Sequence, residues 1–290
     1  MSKGLKPDYI KPFQHLFEKK NFDKLPIHCE WDHEINLTVD VLASIPQMMP
    51  VEQEAINQFV EDELRAGKIR ESKLPYASLC FFIAKKDGSL HLVQDYQIIN
   101  AITVKDKTPL PHIDDLLDVL EDGKLFTKMD IIWGYNNIRI KEGHEWKATF
   151  LTLKGLFKPT IMYFGLCNLP GTFMHMMQTI FRDMIRQWKC AIYMDNLIFK
   201  GKTKEVLCRN TLEGLRILAK HDLYIKESKC YWEVKEVPVL GHIVGKGCLQ
   251  MEATKVKTIW NGKCWKIRRM SRSSMGSATF TTDMYEDIQK

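Results

Sequence analysis

Cys190-Ala191-Ile192-Tyr193-Met194-Asp195-Asn196-Leu197-Ile198-Phe199 is the stretch that decides the fold of this chain. Its two apolar ends flank a short polar centre, and this pattern predicts a β-hairpin with a tight turn. A carboxylate at the tip of such a turn is well placed to bind a divalent metal ion. Asp195 is therefore the first candidate site residue, and Asn196 stands directly beside it.

A second carboxylate ends another β-like segment, Phe126-Thr127-Lys128-Met129-Asp130-Ile131. Two carboxylates from separate strands are the minimum for a two-metal phosphoryl-transfer site. Because Mg²⁺ prefers oxygen ligands, the candidate metal ligands are Asp130, Asp195 and the carbonyl of Ile131. The third acid of such a site would stand at Asn196, which keeps the size of aspartate and loses its charge.

The bulk properties are those of an ordinary globular protein, with 45% hydrophobic and 27% charged residues. The eight cysteines are scattered without a Cys-x-x-Cys pair, which favours reduced thiols in an intracellular protein, cytoplasmic or nuclear. We expect no signal peptide and no transmembrane segment, because no apolar run approaches about 20 residues. The net charge of +6 is too small to indicate nucleic-acid binding by itself.

Helical and strand patterns alternate along the chain, which predicts an α+β fold. A strong turn signal between two apolar runs predicts a second hairpin, from Leu79 to Val93. Apolar periodicity predicts helices at 51–67, at 113–120, from Pro170 through Ile185, and at 204–220. The first 50 residues contain several prolines and look loop-rich and extended, whereas the segment after residue 259 lacks any apolar periodicity.

Short motifs follow one another in a fixed order along most of the chain. They are Leu25-Pro26-Ile27-His28, Phe82 to Gly88, Asp95-Tyr96, Thr108 to Pro111, Asp130 to Ile140, Met162 to Phe173, Tyr193 to Asn196, Lys229-Cys230 and Leu240 to Val244. In this order they resemble the fingers and palm of reverse transcriptases from gypsy-type LTR retrotransposon polyproteins. The resemblance begins near residue 25. It implies a right-hand polymerase with a small antiparallel palm sheet that is backed by helices.

Three segments follow from the resemblance and from the composition. Residues 1–50 are expected to form an extended N-terminal segment, and 51–259 the fingers and palm domain. Residues 260–290 match no motif of the family. Our hypothesis for this tail is a frameshift, because the segment from Met275 to Met284 can be back-translated so that another frame resembles the family's next motif. The chain is thus interpreted as a degenerate, truncated copy, with a tail that we expect to be disordered.

The resemblance implies an RNA-directed DNA polymerase that performs template-directed nucleotidyl transfer by two-metal catalysis. Its cofactor would be Mg²⁺, with Mn²⁺ as a substitute. Its partners would be an RNA or DNA template with a primer, and deoxynucleoside triphosphates; the oligomeric state is left open. The catalytic positions are then Asp130, Asp195 and Asn196.

Further residues match the family's nucleotide pocket. Lys85 matches a fingers lysine that pairs with phosphate, and His91 replaces an arginine, so that a permanent charge is lost. Tyr135 matches the aromatic gate under the sugar, and Phe164-Gly165 the floor beneath the nucleotide. Lys229 matches a proton donor near the pyrophosphate. The alternatives are a turn lysine at 85, a core tyrosine at 135 and a solvated lysine at 229.

The losses at Asn196 and His91 argue against activity, because each removes charge that phosphoryl transfer uses. The first interpretation is a retrotransposon polymerase domain that is inactive in this copy. The alternatives are a non-catalytic remnant that still binds nucleic acid through backbone contacts, and an unstable pseudogene product.

Overall fold

The computed structural model of the protein describes residues 3–18, 21, 24–38, 53–73, 76–84, 90–107, 111–132, 134–152, 154–245 and 248–251. Within these residues the α-helices are α1 (Gln53–Arg65), α2 (Gln97–Ile102), α3 (Ile113–Leu120), α4 (Leu169–Ile180), α5 (Arg182–Arg186) and α6 (Lys204–Lys220). The 3-10 helices lie at Asp8–Phe17, Gly134–Asn137, Glu145–Ala148 and Glu227–Lys229. None of the described helices is long and apolar enough to cross a bilayer.

The described strands fall into small antiparallel sheets. They are β1 (Ile69–Glu71), β2 (Cys80–Ala84), β3 (Leu90–Gln94), β4 (Leu125–Asp130), β5 (Phe150–Thr152), β6 (Gly155–Pro159), β7 (Cys190–Tyr193), β8 (Asn196–Gly201), β9 (Tyr231–Val234), β10 (Glu236–Val239), β11 (His242–Gly245) and β12 (Cys248–Met251). Helices and antiparallel sheets together confirm the predicted α+β class.

The sheet that positions the candidate site has four strands in the order β7-β8-β4-β9. Strand β4 is paired with β8 along its whole length and ends with Asp130 opposite Asn196. In the hairpin of β7 and β8, Tyr193 lies opposite Asn196, which leaves Met194 and Asp195 as a two-residue turn. This register brings both predicted carboxylates to one end of the sheet.

Helix α6 packs very closely against the sheet. The helix begins after Thr203, whose side chain accepts a hydrogen bond from the amide of Val206, as helix N-caps commonly do. A Cβ atom at Gly214 would lie only 2.2 Å from the ring of Phe199 in β8. The missing side chain therefore lets the helix backbone approach a fully buried ring.

The second predicted hairpin is also present, because β2 and β3 pair in antiparallel register from Cys80 opposite Gln94 to Ala84 opposite Leu90. Its turn, including Lys85, lies outside the described residues. The segment Leu240-Gly241 forms the turn between β10 and β11, and both residues have positive φ values, 50° and 83°. Such φ values suit a tight hairpin turn.

The prediction of one long helix from Pro170 through Ile185 was wrong. Helix α4 ends at Ile180 and α5 starts at Arg182, because Phe181 leaves the helical region at φ −101° and ψ 10°. Phe181 is fully buried, and Met184 one turn later is 1% exposed. The apolar spacing is thus that of a continuous helix, although the backbone is broken at its centre.

The described part of the N-terminal segment contains more regular structure than the sequence suggested. It contains the 3-10 helix Asp8–Phe17, which includes a proline. Ile10 and Leu16 on this helix are buried in the same hydrophobic core as the strands of the four-stranded sheet. Residues 260–290 lie outside the described residues, so the boundaries at 50 and 259 stay predictions.

Candidate active site

Asp130 stands at the end of the strand that lies inside the four-stranded sheet. Strand β4 buries Phe126 and Met129 completely, and Asp130 itself is only 7% exposed. The main chain also fixes this residue, because its carbonyl accepts a hydrogen bond of 2.9 Å from the amide of Lys226. The carboxylate is therefore held at a defined position at the end of the sheet.

Asp195 reaches the same position from the hairpin turn. Met194, the first turn residue, has φ 52°, in the left-handed region that favours glycine, so the turn conformation is strained for a residue with a side chain. The carbonyl of Asp195 accepts a hydrogen bond of 2.8 Å from the amide of Ile131. This bond joins the turn to the end of β4 and places the two acids as near neighbours.

The carboxylate of Asp130 is paired with an ammonium group of the same chain. The Nζ atom of Lys229 donates to both carboxylate oxygens of Asp130, each at 3.0 Å. Lys229 comes from the 3-10 helix Glu227–Lys229, and its side chain is 51% exposed, compared with 10% for Asp130. The structure therefore brings Lys229 into the predicted site, in direct contact with the first acid.

Asn196 is engaged with the second acid. Its Nδ2 atom donates a hydrogen bond of 2.8 Å to Oδ1 of Asp195. Burial raises the pKa of Asp195 and the neighbouring Asp130 raises it further, whereas Lys229 acts in the opposite direction. The acids thus repel each other in a half-buried site, and the chain supplies N–H donors to both.

The residues present suit an oxygen-seeking divalent cation only in part. Two carboxylates, the Ile131 carbonyl and the side-chain oxygen of Asn196 are the oxygen donors at this end of the sheet, and they are of the type that Mg²⁺ prefers. Within the described part of the chain, no group of three or more His, Cys, Asp or Glu side chains could hold a metal ion. A cation would therefore meet one negative charge fewer than three acids provide.

Tyr135 lies beside the turn that carries Asp195. Its hydroxyl is 3.9 Å from the sulfur of Met194, and its ring makes edge contacts with Phe164 at 5.1 Å and with Phe173 at 5.4 Å between ring centroids. Burial raises the pKa of Tyr135, and Asp195 raises it further. Tyr135 thus lies beside the turn that carries Asp195 and also packs against the buried ring of Phe173, and its role as a gate stays a prediction.

Phe164 and Gly165 form an exposed corner next to Tyr135. Phe164 is 46% exposed, and Gly165 has φ 107°, a conformation that side chains rarely adopt. The carbonyl of Gly165 accepts a hydrogen bond of 2.6 Å from Asn100, whose Oδ1 accepts one of 2.9 Å from the amide of Cys167. Asn100 therefore fixes this corner, a role that the sequence analysis did not assign.

The phosphate-binding side of the predicted pocket is described only in part. Lys85 lies outside the described residues, and His91 is described by its backbone alone, in β3 opposite Ile83. The structure therefore brings together Asp130, Asp195, Asn196, Tyr135, Phe164, Gly165 and Lys229. The positions of the two side chains that are predicted to face the phosphates, Lys85 and His91, stay predictions.

Met174 is a second residue whose role the sequence analysis missed. It is 2% exposed on α4, and its sulfur accepts a hydrogen bond of 3.1 Å from the amide of Met194 in the turn. A thioether is a weak acceptor, so the residue type alone did not indicate this contact.

Comparisons with known proteins concern the family and the fold of the chain. The family model described as "Reverse transcriptase (RNA-dependent DNA polymerase)" matches residues 83–244. Among curated proteins, the Transposon Tf2-7 polyprotein of Schizosaccharomyces pombe is 29% identical over 280 residues, covering 94% of this chain and 21% of the relative. The Transposon Tf2-3 polyprotein of the same yeast is 28% identical over the same length. This chain spans about a fifth of the length of these relatives.

Solved structures with a similar fold include viral reverse transcriptases. The foamy viral protease-reverse transcriptase dRH in complex with double-stranded DNA superposes with a TM-score of 0.70 at 16% identity, over 91% of this chain and 51% of that one. The foamy viral protease-reverse transcriptase in complex with an RNA/DNA hybrid gives a TM-score of 0.67 at 16% identity, over 90% and 38%. At such identities the likeness shows the fold alone.

Proposed function

Since this chain belongs to the reverse transcriptase (RNA-dependent DNA polymerase) family, we propose that it is the fingers and palm of a retrotransposon polymerase whose nucleotidyl transfer is lost. The observation that carries the proposal is the end of the palm sheet, where Asp130 and Asp195 are neighbours and Asn196 takes the place of the third acid. We place the polymerase domain at residues 51–259, between the N-terminal segment 1–50 and the tail 260–290.

The residues at the end of the sheet would have different roles in nucleotide addition. Asp130, Asp195 and the Ile131 carbonyl would hold Mg²⁺ or Mn²⁺, which when bound supplies activation of the primer 3′-hydroxyl and neutralisation of the triphosphate. The ring of Tyr135 would pack under the sugar and exclude a ribose 2′-hydroxyl. Phe164 and Gly165 would form the floor beneath the base.

Lys229 would have a separate task in this chemistry. Its side chain is half exposed, and its ammonium group lies next to the acids, where it would donate a proton to the leaving pyrophosphate. Lys85 and His91 would face the phosphates from the fingers. A neutral imidazole at position 91 cannot make the permanent, bidentate contact of an arginine, so the triphosphate would be held more weakly.

The charge of the acid cluster is the reason for proposing loss of activity. With Asn at position 196, the carboxylates of the site carry a formal charge of −2 instead of −3, and Lys229 offsets one of these. Each lost contact that acts on the charge of the transition state costs rate directly. We therefore expect the parent chain to extend primers far more slowly than a chain in which the acid is restored.

A nucleic-acid partner is proposed from the relatives. The curated relatives are transposon polyproteins, and the viral proteins of similar fold were solved with an RNA/DNA hybrid and with double-stranded DNA. For this chain we propose a primer annealed to an RNA or DNA template as the bound polymer. Deoxynucleoside triphosphates would be the small substrates.

The second candidate function is nucleic-acid binding without catalysis. It is favoured by the observation that N–H donors of the chain contact both acids, so both carboxylates are already hydrogen-bonded by side chains of the protein. Such a protein would hold the phosphate backbone through its cationic side chains, and its affinity would fall with rising salt.

The test is primer extension on a homopolymer RNA template, with Mg²⁺ or Mn²⁺, for the parent and for Asn196→Asp. Extension by the variant and not by the parent would support the proposal. As a control, Asp130→Asn in the Asn196→Asp background should abolish extension. Extension by the parent at the rate of the variant would show that two carboxylates suffice, and the proposed loss of activity would be wrong.

The two candidate functions are separated by a binding assay on the same proteins. Fluorescence anisotropy with a labelled primer–template would be measured over a range of salt concentrations. Salt-sensitive binding by a parent and an Asn196→Asp variant that both fail to extend primers would favour the non-catalytic binding function.

A further inference from the structure

Residues 3–17, which we call the N-terminal arm, lie against strand β9, the outermost strand of the palm sheet on that side. The amide of Trp232 in this strand donates a hydrogen bond of 2.8 Å to the carbonyl of Lys3. A Cβ atom at Gly4, where φ is 70°, would lie 2.0 Å from the carbonyl oxygen of Trp232. The arm therefore lies directly on the backbone of the edge strand, and only glycine permits so close an approach.

The other end of the N-terminal arm is anchored in the hydrophobic core. Leu16 is buried there, and the ring of Phe17 meets that of Trp232 with 6.1 Å between the ring centroids. The carbonyl of Leu16 accepts a hydrogen bond of 2.8 Å from the amide of Ile225. Backbone bonds thus join the arm to the chain on both sides of the 3-10 helix Glu227–Lys229, at Ile225 before it and at Trp232 after it.

Lys6 contacts this 3-10 helix from the middle of the N-terminal arm. Its Nζ atom lies 3.1 Å from Oε1 of Glu227 and donates a hydrogen bond of 3.0 Å to Oε1 of Gln14. The same atom lies over the ring of Phe17, 4.1 Å from its centroid, which is a cation–π geometry. Only 25% of the Lys6 side chain is exposed. Three contacts and partial burial therefore hold this ammonium group beside Glu227.

The helix that the N-terminal arm contacts carries Lys229, whose ammonium group lies 3.0 Å from each carboxylate oxygen of Asp130. Ser228 directly precedes Lys229, and its carbonyl accepts a hydrogen bond from Nζ of Lys3. Hydrogen bonds in 3-10 helices have poor geometry, so a helix of three residues has little stability of its own. The position of Lys229 therefore depends on the contacts that surrounding segments make with its neighbours in the chain.

From these contacts we propose that the N-terminal arm positions Lys229 in the candidate active site, with Lys6 as the central positioning residue. Lys6 acts through Glu227 on the helix that presents the Lys229 ammonium group. The inference rests on the proposed function, because it takes Lys229 to be the proton donor at the pyrophosphate. It goes further in assigning part of the site to a segment that precedes the proposed polymerase domain, 51–259, in the sequence.

Hydrogen exchange of the full parent chain tests the positioning without any polymerase activity. Mass spectrometry would follow peptides that cover residues 224–234. Lys6→Met keeps an unbranched side chain over the Phe17 ring and removes the charge, so these peptides should exchange about two- to fivefold faster, as expected for a partly exposed ion pair. Lys6→Arg restores a cation and should exchange like the parent. Lys11→Met is the control, because Lys11 lies on the same 3-10 helix and pairs only with the exposed Asp8, at 2.9 Å.

Gly4→Ala tests the other end of the N-terminal arm. The new Cβ would meet a backbone carbonyl, so the arm must move away from β9, and the Trp232 amide should exchange roughly tenfold faster or more. Gly143→Ala is the matched control, because Gly143 also has a positive φ, 83°, and no atom of the described residues lies within 4 Å of its added Cβ. Parent-like exchange of residues 224–234 in both Lys6→Met and Gly4→Ala would overturn the proposal.

A double-mutant cycle separates the positioning of Lys229 from a general loss of structure. Primer extension would be measured in the Asn196→Asp background. Lys6→Met should lower kcat by up to about fivefold, the equivalent of the lost ion pair, and leave KM for the triphosphate unchanged, because a proton donor acts in the transition state. When Lys229→Met is already present, Lys6→Met should have no further effect on kcat.

The cycle also shows which idea has failed. An equal fall in kcat with and without Lys229 would mean that Lys6 acts on the fold in general, and the proposal would be wrong. An Asn196→Asp chain that does not extend primers would contradict the proposed function, and the hydrogen-exchange result would then decide the positioning by itself.

Discussion

The close approach between helix α6 and strand β8 gives a prediction whose size can be worked out. In Gly214→Ala the new Cβ would lie 2.2 Å from Cζ and 2.4 Å from Cε1 of Phe199. Carbon atoms in contact are normally about 3.5–4.0 Å apart, so the ring or the helix must move by more than about 1 Å. The ring is fully buried in a strand that is paired on both sides, and it has little room to move.

The expected cost follows from two opposing terms. Overpacking a tight core costs about 1–3 kcal/mol, and the upper end applies because the obstacle is a ring. Alanine in the helix interior recovers about 1 kcal/mol relative to glycine. Gly214→Ala should therefore lower the free energy of unfolding by about 2 kcal/mol, which corresponds to a fall in Tm of about 4–8 °C.

The assay is thermal unfolding followed by circular dichroism, with Phe199→Leu and the double variant as controls. The smaller side chain at position 199 makes space for the new methyl group, so the double variant should be more stable than the sum of the single effects predicts. A Gly214→Ala chain with a Tm above that of the parent would refute the reasoning, because alanine would then act only through its helix propensity.

Three further results are expected. Met174→Leu keeps the core volume and removes the acceptor of the Met194 amide, so the Tm should fall by the amount expected for a loss of about 1 kcal/mol in the free energy of unfolding. The Tm of Met174→Gln should stay near that of the parent, because the side-chain oxygen can accept the same hydrogen bond. An unchanged Tm in Met174→Leu would show that the sulfur contact is not stabilising. Asn100→Ala should lower the Tm and loosen the Gly165 corner, whereas Gln97→Ala, a change at an exposed neighbour, should not. Burial lowers the pKa of His33 from 6.5 to about 4. As the pH falls, the unfolded chain therefore binds this proton before the folded chain does, and about 3 kcal/mol of stability should be lost between pH 6.5 and 4. Urea unfolding at several pH values should show a smaller loss for His33→Asn than for the parent.

The elements that the sequence predicted well are those with strong local signals. The bounds of α3 and α6 agree with their apolar periodicity, and the hairpin around Asp195 was visible from two apolar runs and a polar turn. The break at Phe181 was not visible, because a buried residue fits the helical spacing equally well when the backbone leaves the helix there. Local patterns identify which residues are buried and leave the backbone angle between them open.

The candidate site, like the fold, was predicted only in part. The nearness of Asp130 and Asp195 was expected from the motifs, and the register of β4 with β8 accounts for it. The pairing of Lys229 with Asp130 joins residues 99 positions apart, and it depends on a short 3-10 helix that no apolar periodicity in the sequence predicts. In the contact between Met174 and the turn, a backbone amide donates to the sulfur of an apolar side chain, for which sequence patterns predict packing only.

Strand β4 lies between two neighbouring strands, and this affects which substitutions such chains can accumulate in evolution. The hydrogen-bond ladder and the apolar residues of the strand lie behind the acids, so substitutions at the tip leave the ladder intact. Selection on the chemistry and selection on folding therefore act on different residues of the same strand pair. A gene that is no longer selected for polymerase activity can therefore lose its acids one by one and still encode a protein that folds.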